Sequence, residues 1–228
     1  MPKISVILST FNNEQTIENA VCSILDQSFK NFELLICDDA SNDSTIEKLN
    51  YLAKSDNRIK LISNSYNIGL TKSLNKLIQL SKGNLIARQD ADDISLPERF
   101  EKQIYFLEHN MLDACSTRAL TIPGNKKIPG YSYFIPINIT ILFKNPFVHG
   151  SLLIKKNILN SVNNYDERFV YAQDYKLMHD LIVKNYKLGI LKEPLYKLNT
   201  KNNISTYKKK EQAYFANCVR KNIVPELN

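Results

Sequence analysis

No apolar run in this chain approaches the roughly 20 residues that a membrane-spanning helix requires. A signal-peptide pattern is missing too, because the apolar residues 4–8 run directly into a polar turn. The cysteines, Cys22, Cys37, Cys115 and Cys218, are widely separated and form no CxxC pair. They read as reduced thiols of a cytoplasmic, soluble protein rather than as a redox or metal-binding pair. Internal repeats, low-complexity tracts and an obvious linker are also lacking. A chain of 228 residues with 43% hydrophobic content is therefore expected to form one sizeable core with a small C-terminal elaboration.

The formal net charge is +7, which implies affinity for anions without naming one. Nucleic acid, an acidic membrane surface and a nucleotide-sugar diphosphate all qualify. Nucleic acid rests on charge alone, since no recognition motif or aromatic–basic platform accompanies it. The most basic run, Lys208-Lys209-Lys210, reads as a solvated helix start that could also attract anionic lipid.

Residues 4–8, 32–37, 58–62 and 85–88 are apolar runs that predict strands, and each is separated from the next by a loop and an amphipathic helix. The helical faces are Ile17, Ala20, Val21, Ile24 and Leu25, then Ile46, Leu49, Leu52 and Ala53, then Leu70, Leu74, Leu77 and Ile78. This alternation predicts an open, largely parallel α/β sheet with helices on both faces. Ligands of such sheets bind outside the carboxyl ends of the strands. Thr10 and Phe11, the pair Asp38-Asp39, and the cluster Asp90, Asp92 and Asp93 would all converge there. Carboxylates packed this closely repel one another unless a cation or donors compensate them, and Mg2+ or Mn2+ is the natural compensator. The competing reading is an acidic loop in which Asp93 or Ser95 caps the next helix.

The second half is less regular. Helices are predicted over residues 97–110 and 136–143, a strand over 114–122, and a strand-like run at the end of 149–154. An irregular loop at 165–171 leads into a helix whose first turn carries Asp174. Short strands at 187–191 and 194–198 precede an amphipathic helix over 207–224.

Four ordered motifs resemble the family 2 glycosyltransferases. They are residues 5–12 (SVILSTFN), Asp38-Asp39-Ala40-Ser41-Asn42-Asp43 with Asn67-Ile68-Gly69-Leu70, residues 87–93 (ARQDADD) with Pro97-Glu98-Arg99, and His149-Gly150-Ser151 with Ala172-Gln173-Asp174-Tyr175. The resemblance covers nearly the whole chain and implies the GT-A fold, a Rossmann-like open mixed sheet flanked by helices. It divides the chain into a GT-A domain at 1–205, with a nucleotide-binding half at about 1–95 and an acceptor-binding half at about 96–205, and a basic helical tail at 206–228.

The resemblance also implies roles. Thr10 and Phe11 would lie against uracil, and Asp39 would accept from its ring N3–H. Asp38 would either contact the ligand or fix the loop before Ser41. Asp92 would coordinate a Mn2+ or Mg2+ bridging the donor phosphates, Asp90 would face the ribose or a metal-bound water, and Asp93 would orient Asp92 or the sugar. Arg88 would neutralise the donor or pair with the carboxylates. Asp174 would be the catalytic base, unless it is a plain helix N-terminal acid. His149 would shape the pocket or be structural. The chain departs from the family at residues 194–205, where relatives often carry an Arg and a His and this chain has Asn199 and Lys201. Lys201 could supply positive charge but has no lone pair for a metal.

The implied activity is inverting transfer of a hexose or N-acetylhexosamine from a UDP-sugar to a hydroxyl of a growing bacterial glycan such as lipopolysaccharide, capsule or a lipid-linked oligosaccharide. The implied place is the cytoplasm, at the cytoplasmic face of the inner membrane, with no nucleic-acid partner. A sugar-nucleotide-synthesising nucleotidyltransferase would need a Gly-rich N-terminal loop, and residues 9–15 contain no glycine. A noncatalytic nucleotide-sugar or glycan-binding module on the same fold is the other reading, kept open by Asn199 and Lys201.

Overall fold

Strands β1 (Ile4–Thr10) and β2 (Phe32–Asp38) are buried at every residue. A sheet covered on both faces favours such largely apolar runs over simple alternation, and two of the polar exceptions are bonded to each other, Ser5 Oγ donating to Glu33. In the computed structural model, which describes residues 1–201 and 207–226, the two strands pair in parallel, from Ile4 opposite Phe32 to Thr10 opposite Asp38. β3 (Ile59–Ser63) joins the outer side of β2, and β4 (Leu85–Arg88) the outer side of β1, both parallel. Parallel neighbours need crossover connections, and α1 (Ile17–Leu25), α2 (Thr45–Ser55) and α3 (Leu70–Leu80) supply them.

Successive side chains of a strand point to opposite faces, so each strand feeds two cores. Ile4, Val6, Leu8, Leu34 and Ile36 pack with α1, α2 and the Phe100, Ile104 and Leu107 face of α4 (Arg99–His109). Ile7, Leu35, Cys37 and Ile86 pack with α3 and with Leu177, Met178 and Leu181 of α7 (Gln173–Val183). All four cysteines are free thiols.

Beyond β4 the sheet becomes mixed. β8 (Leu153–Lys155) runs antiparallel to β4, and β6 (Ala114–Ile122) runs antiparallel to β8. β9 (Leu188–Asn199) is parallel to β6, and the two-residue β5 (Ile94–Ser95) closes the edge antiparallel to β9. The order is β3-β2-β1-β4-β8-β6-β9-β5, with β7 (Lys127–Ile128) folded back on β6. The largely parallel expectation thus describes the first half of the sheet only.

Several boundaries differ from the sequence reading for identifiable reasons. The two short strands expected at 187–191 and 194–198 are one strand. Thr117 pairs with Leu191 and Arg118 with Pro194, so residues 192–193 bulge out, which lets Pro194, with no N–H to give, remain in the ladder. Residues 149–151 form a 3₁₀ turn and only β8 is strand. The helix expected at 136–143 shortens to α5 (Ile137–Thr140), and α4 begins after Pro97. α6 (Lys156–Ser161) follows β8 directly. The tail forms α8 (Lys209–Lys221), whose Phe215, Cys218 and Val219 enter the α3–α7 core. The domain boundary drawn at residue 205 falls within 202–206, outside the described residues. Among the described residues no helix is long and apolar enough to cross a membrane.

Candidate active site

The ends of β1, β2 and β4 deliver their loops to one edge. Asn12, in left-handed conformation at φ 54°, laces the first loop to the second: its backbone N–H donates to Ser41 Oγ and its side-chain oxygen accepts from Asn42 N–H, each at 2.9 Å. Thr10 Oγ1 donates to Asn13 Oδ1 at 3.0 Å, and its backbone oxygen accepts from Asp39 N–H at 2.8 Å. Phe11 projects from this frame 44% exposed, an aromatic face free to meet a planar ligand.

The acidic pair divides its work. Asp38 accepts from Ser41 N–H at 3.2 Å, the loop-fixing role, while its Oδ1 is buried without a hydrogen-bond partner. Asp39 accepts from Asn64 Nδ2 and from the N–H groups of Ile68 and Gly69 at 2.8–2.9 Å, tying β2 to the start of α3. A carboxylate offers about four lone-pair sites, so Asp39 has little acceptor capacity left for a base. Gly69 sits at φ 88°, where a side chain would be strained.

After β4 the charges are layered. Arg88, 1% exposed, lies 2.7 Å from Asp90 Oδ1 as an ion pair. Its Nη2 makes this pair with one carboxylate, and its Nε has no hydrogen-bond partner among the described residues. Arg99 is wholly buried and donates to Arg88 O, Gln89 Oε1, Ser95 Oγ and Gly150 O, bracing β4, β5 and the 149–151 turn. Burial pulls its pKa down to about 10, which leaves it charged at neutral pH. Neither Asp93 nor Ser95 caps α4: Asp93 accepts from Asn199 N–H at 2.7 Å, and Ser95 donates to Gln89.

Burial, reinforced by Asp90, pushes the Asp92 carboxyl up to about 6, and burial plus the charges on Asp90 and Asp92 pushes Asp93 up further. Asp92 makes no side-chain hydrogen bond or ion pair with another described residue, so it is the member left for an outside cation. No three His, Cys, Asp or Glu residues converge into a ready cage among the described residues. The donor set therefore fits a hard divalent ion that takes one carboxylate here and fills its shell with phosphate oxygens and water.

Across the cleft, Asp174 lies in the first turn of α7 behind Ala172, whose φ is 52°. Its Oδ2 accepts from Asn145 Nδ2 at 2.8 Å. His149 Nε2 lies 2.8 Å from the Tyr165 hydroxyl, and burial followed by Arg88 pushes the imidazole down to about 4, so it is neutral and anchored at physiological pH. A cleft of about 350 Å³ joins these groups, lined by Asp90, Ser132, Lys144, Asn145, His149 and Gly150. A larger hollow, about 530 Å³, lies between α3 and α7 and shares no residue with it. Two of its ion pairs are internal, Arg168 to Asp166 at 2.7 Å and Lys176 to Asp180 at 2.6 Å, while Glu167 accepts from Asn75 and Lys184 donates to Ser161 O. The smaller cleft, which reaches the acidic loop at Asp90, is therefore the candidate site.

Of the residues expected at the site, Asp90 lines the cleft, Arg88 pairs with Asp90, Asp174 bonds to the lining residue Asn145, and Asp92 and Asp93 follow Asp90 in the same loop, with Thr10, Phe11, Asp38 and Asp39 at the ends of β1 and β2. Lys201 is exposed just past β9, its N–H donating to Asn199 Oδ1 at 3.0 Å. Sequence reasoning missed Asn145, Tyr196, whose hydroxyl accepts from Asp90 N–H at 3.1 Å, and the work of Arg99. The Asn-Pro pair at 145–146 is a turn signal but says nothing of a partner in α7.

The family model for Glycosyl transferase family 2 matches residues 5–184. Putative glycosyltransferase EpsE of Bacillus subtilis is 35% identical over 206 residues, covering 86% of this chain and 73% of that protein. The UDP-Glc:alpha-D-GlcNAc-diphosphoundecaprenol beta-1,3-glucosyltransferase WfgD of Escherichia coli is 33% identical over 184 residues, covering 80% and 70%. Among solved structures, S. aureus TarS 1–349 in complex with UDP superimposes with TM-score 0.72 at 20% identity, over 95% of this chain and 71% of that one. The mannosyltransferase PcManGT from Pyrobaculum calidifontis, in complex with GDP-Man and Mn2+, gives TM-score 0.78 at 19% identity, over 98% and 66%. These neighbours share the GT-A architecture, and the matches decide for an enzyme over a noncatalytic module. The chain belongs to glycosyl transferase family 2 and is a glycosyltransferase.

Proposed function

We propose that the protein moves a hexose or N-acetylhexosamine from a UDP-sugar to a hydroxyl of a growing, lipid-linked bacterial glycan, with inversion at the anomeric carbon. The observation that carries this is the cleft lined by Asp90 and by Asn145, whose amide donates to one oxygen of Asp174 while the other makes no hydrogen bond with another described residue. Phe11 and Thr10 would flank the base, and the acceptor capacity that Asp39 retains beside its three hydrogen bonds would meet the base N–H. Asp92 would hold Mn2+ or Mg2+, which when bound offsets the negative charge of the departing diphosphate. Lys201 adds positive charge on the same side without ligating the metal.

Asp174 takes the proton of the acceptor hydroxyl as that oxygen bonds to the anomeric carbon and the bond from that carbon to the diphosphate oxygen breaks. Attack from the side opposite the leaving group inverts the centre. Arg88 holds Asp90, Asn199 holds Asp93, and neutral His149 keeps the pocket wall fixed through Tyr165. The name of WfgD, with its diphosphoundecaprenol acceptor, and the UDP complex of TarS support the donor and acceptor classes. The corresponding place of action is the cytoplasmic face of the inner membrane.

The test is binding and hydrolysis of a nucleotide-sugar panel with Mn2+, with Mg2+ and with chelator. Selection of one UDP-sugar that depends on metal and is lost in Asp92→Ala is the expected result. In Asp174→Asn the donor should still bind while transfer falls. Equal binding with chelator, or no nucleotide sugar bound at all, would remove the donor-site assignment.

A further inference from the structure

From residue 114 to residue 165 the sequence contains no Asp or Glu, while it contains Arg118, Lys126, Lys127, Lys144, Lys155 and Lys156. Between β7 and the 149–151 turn Ile141, Phe147 and Val148 are buried, while six other large apolar side chains of the same part are exposed. Tyr131 is 93% exposed, Phe134 72% and Phe143 70%, with Ile135, Ile139 and Leu142 beside them in sequence and also open to solvent. Scattered exposed hydrophobics are ordinary, but six in one short segment make a patch that marks an interaction surface. The tail meets the same segment: Arg220 of α8 donates to Phe143 O at 3.3 Å, and α8 brings Lys209, Lys210 and Lys221. The inner side of the segment, through Ser132, Lys144 and Asn145, lines the active-site cleft.

We infer that the 131–143 segment and the adjoining basic rim dock on a bilayer that contains anionic phospholipid, setting the mouth of the cleft at the membrane surface. Exposed aromatic and aliphatic side chains flanked in sequence by Lys126, Lys127 and Lys144, with no carboxylate in the stretch, match the boundary between acyl chains and negative headgroups. A second copy of this chain is the poorer occupant, because a two-fold contact would bring two positively charged rims together. The docking stands on this surface alone; its purpose, presenting a lipid-carried acceptor to Asp174, rests on the proposed function.

The full chain is mixed with phosphatidylcholine vesicles with and without phosphatidylglycerol, floated on a density gradient, and compared with two double variants, Phe134→Ser with Phe143→Ser and Lys126→Glu with Lys127→Glu. All four side chains are exposed, and circular dichroism checks that each variant folds. The wild type should float only with phosphatidylglycerol, less so in high salt. The aromatic pair should weaken binding at least about tenfold, and the lysine pair about fivefold or more per residue. No flotation of the wild type, or flotation unchanged in both double variants, would overturn the inference. So would a concentration-dependent dimer that the aromatic variant abolishes in sedimentation velocity. UDP-sugar binding is measured on the same samples. Its absence throughout would sink the donor reading and leave the vesicle result standing, whereas its retention with flotation lost in the variants isolates the surface.

Discussion

Asp174 depends on a residue that no motif points to. The Asn145 side chain donates to it from 29 positions away, and a hydrogen bond to a charged group contributes about 1.5–3 kcal/mol. Asn145→Ala should therefore lower kcat about ten- to a hundredfold while leaving the donor KM nearly unchanged, as steady-state transfer assays would show. Asp92 makes the opposite case. Its pKa is raised to about 6 from the usual carboxylate value, so the fold without a cation prefers the protonated form. The sign follows: this strain is present above about pH 6 and is relieved as the pH falls toward the unfolded value near 4. Asp92→Asn should raise the Tm of the metal-free protein at pH 7.5 by about 2–4 °C per kcal/mol recovered, and abolish metal-dependent donor binding. With the cation held by Asp92 as proposed, protons would compete with it, so donor affinity should decline below about pH 6 in a titration. The placement of Asp90 and Asp92 after a strand and of Asp174 in a helix's first turn was legible because strand-end and helix-start positions can be read locally. Asn145 and Arg99 were not, since Arg99 bonds Gly150 across 51 positions and periodicity carries no such information.

Among the elements, the parallel half of the sheet was legible because each βα unit repeats a local rule: an apolar run, a polar turn, then an amphipathic face. One glycine fixes how tightly these units close. A Cβ on Gly83 would lie 2.5 Å from Ser5 N and 2.7 Å from Ile4 C, backbone atoms of β1 that cannot move without breaking the ladder. Gly83→Ala should destabilise the protein by about 1–3 kcal/mol or more, read as a lower denaturation midpoint at unchanged slope. The antiparallel half was less legible because its strands are short or irregular, and tertiary pairing defines them. β5 has two residues and exists only against Lys197 and Tyr196 of β9. β9 itself reads as two strands until the bulge opposite Arg118 is seen. α8 was legible as an amphipathic helix, but not the core it joins. Phe215 packs edge-on to Phe169 and Tyr171, with ring centroids 6.1 and 5.6 Å away, and is 5% exposed. Phe215→Ala should cost about 3–5 kcal/mol in the same experiment.

For the molecule as a whole, the charge of +7 said only that something anionic is met. The fold sorts that charge, giving guanidinium groups to the interior around Asp90 and lysines to the rim of the 131–143 surface. The cleft lies between two halves of the chain: the acid-bearing loop comes from the first, while Asn145, His149 and Asp174 come from the second. The pairing of β5 with β9, Ile94 to Lys197 and Ser95 to Tyr196, clamps the halves together across about a hundred residues of sequence. Contacts of such long separation close late, because the loop entropy must be met before they contribute. Seen in time instead of space, the first half of the chain can leave the ribosome and collapse while β9, whose Leu198 lines the cleft, is still unsynthesised. Synthesis and competence are thereby separated, and a nascent chain has no assembled cleft with which to transfer sugar until β9 has emerged and found β5.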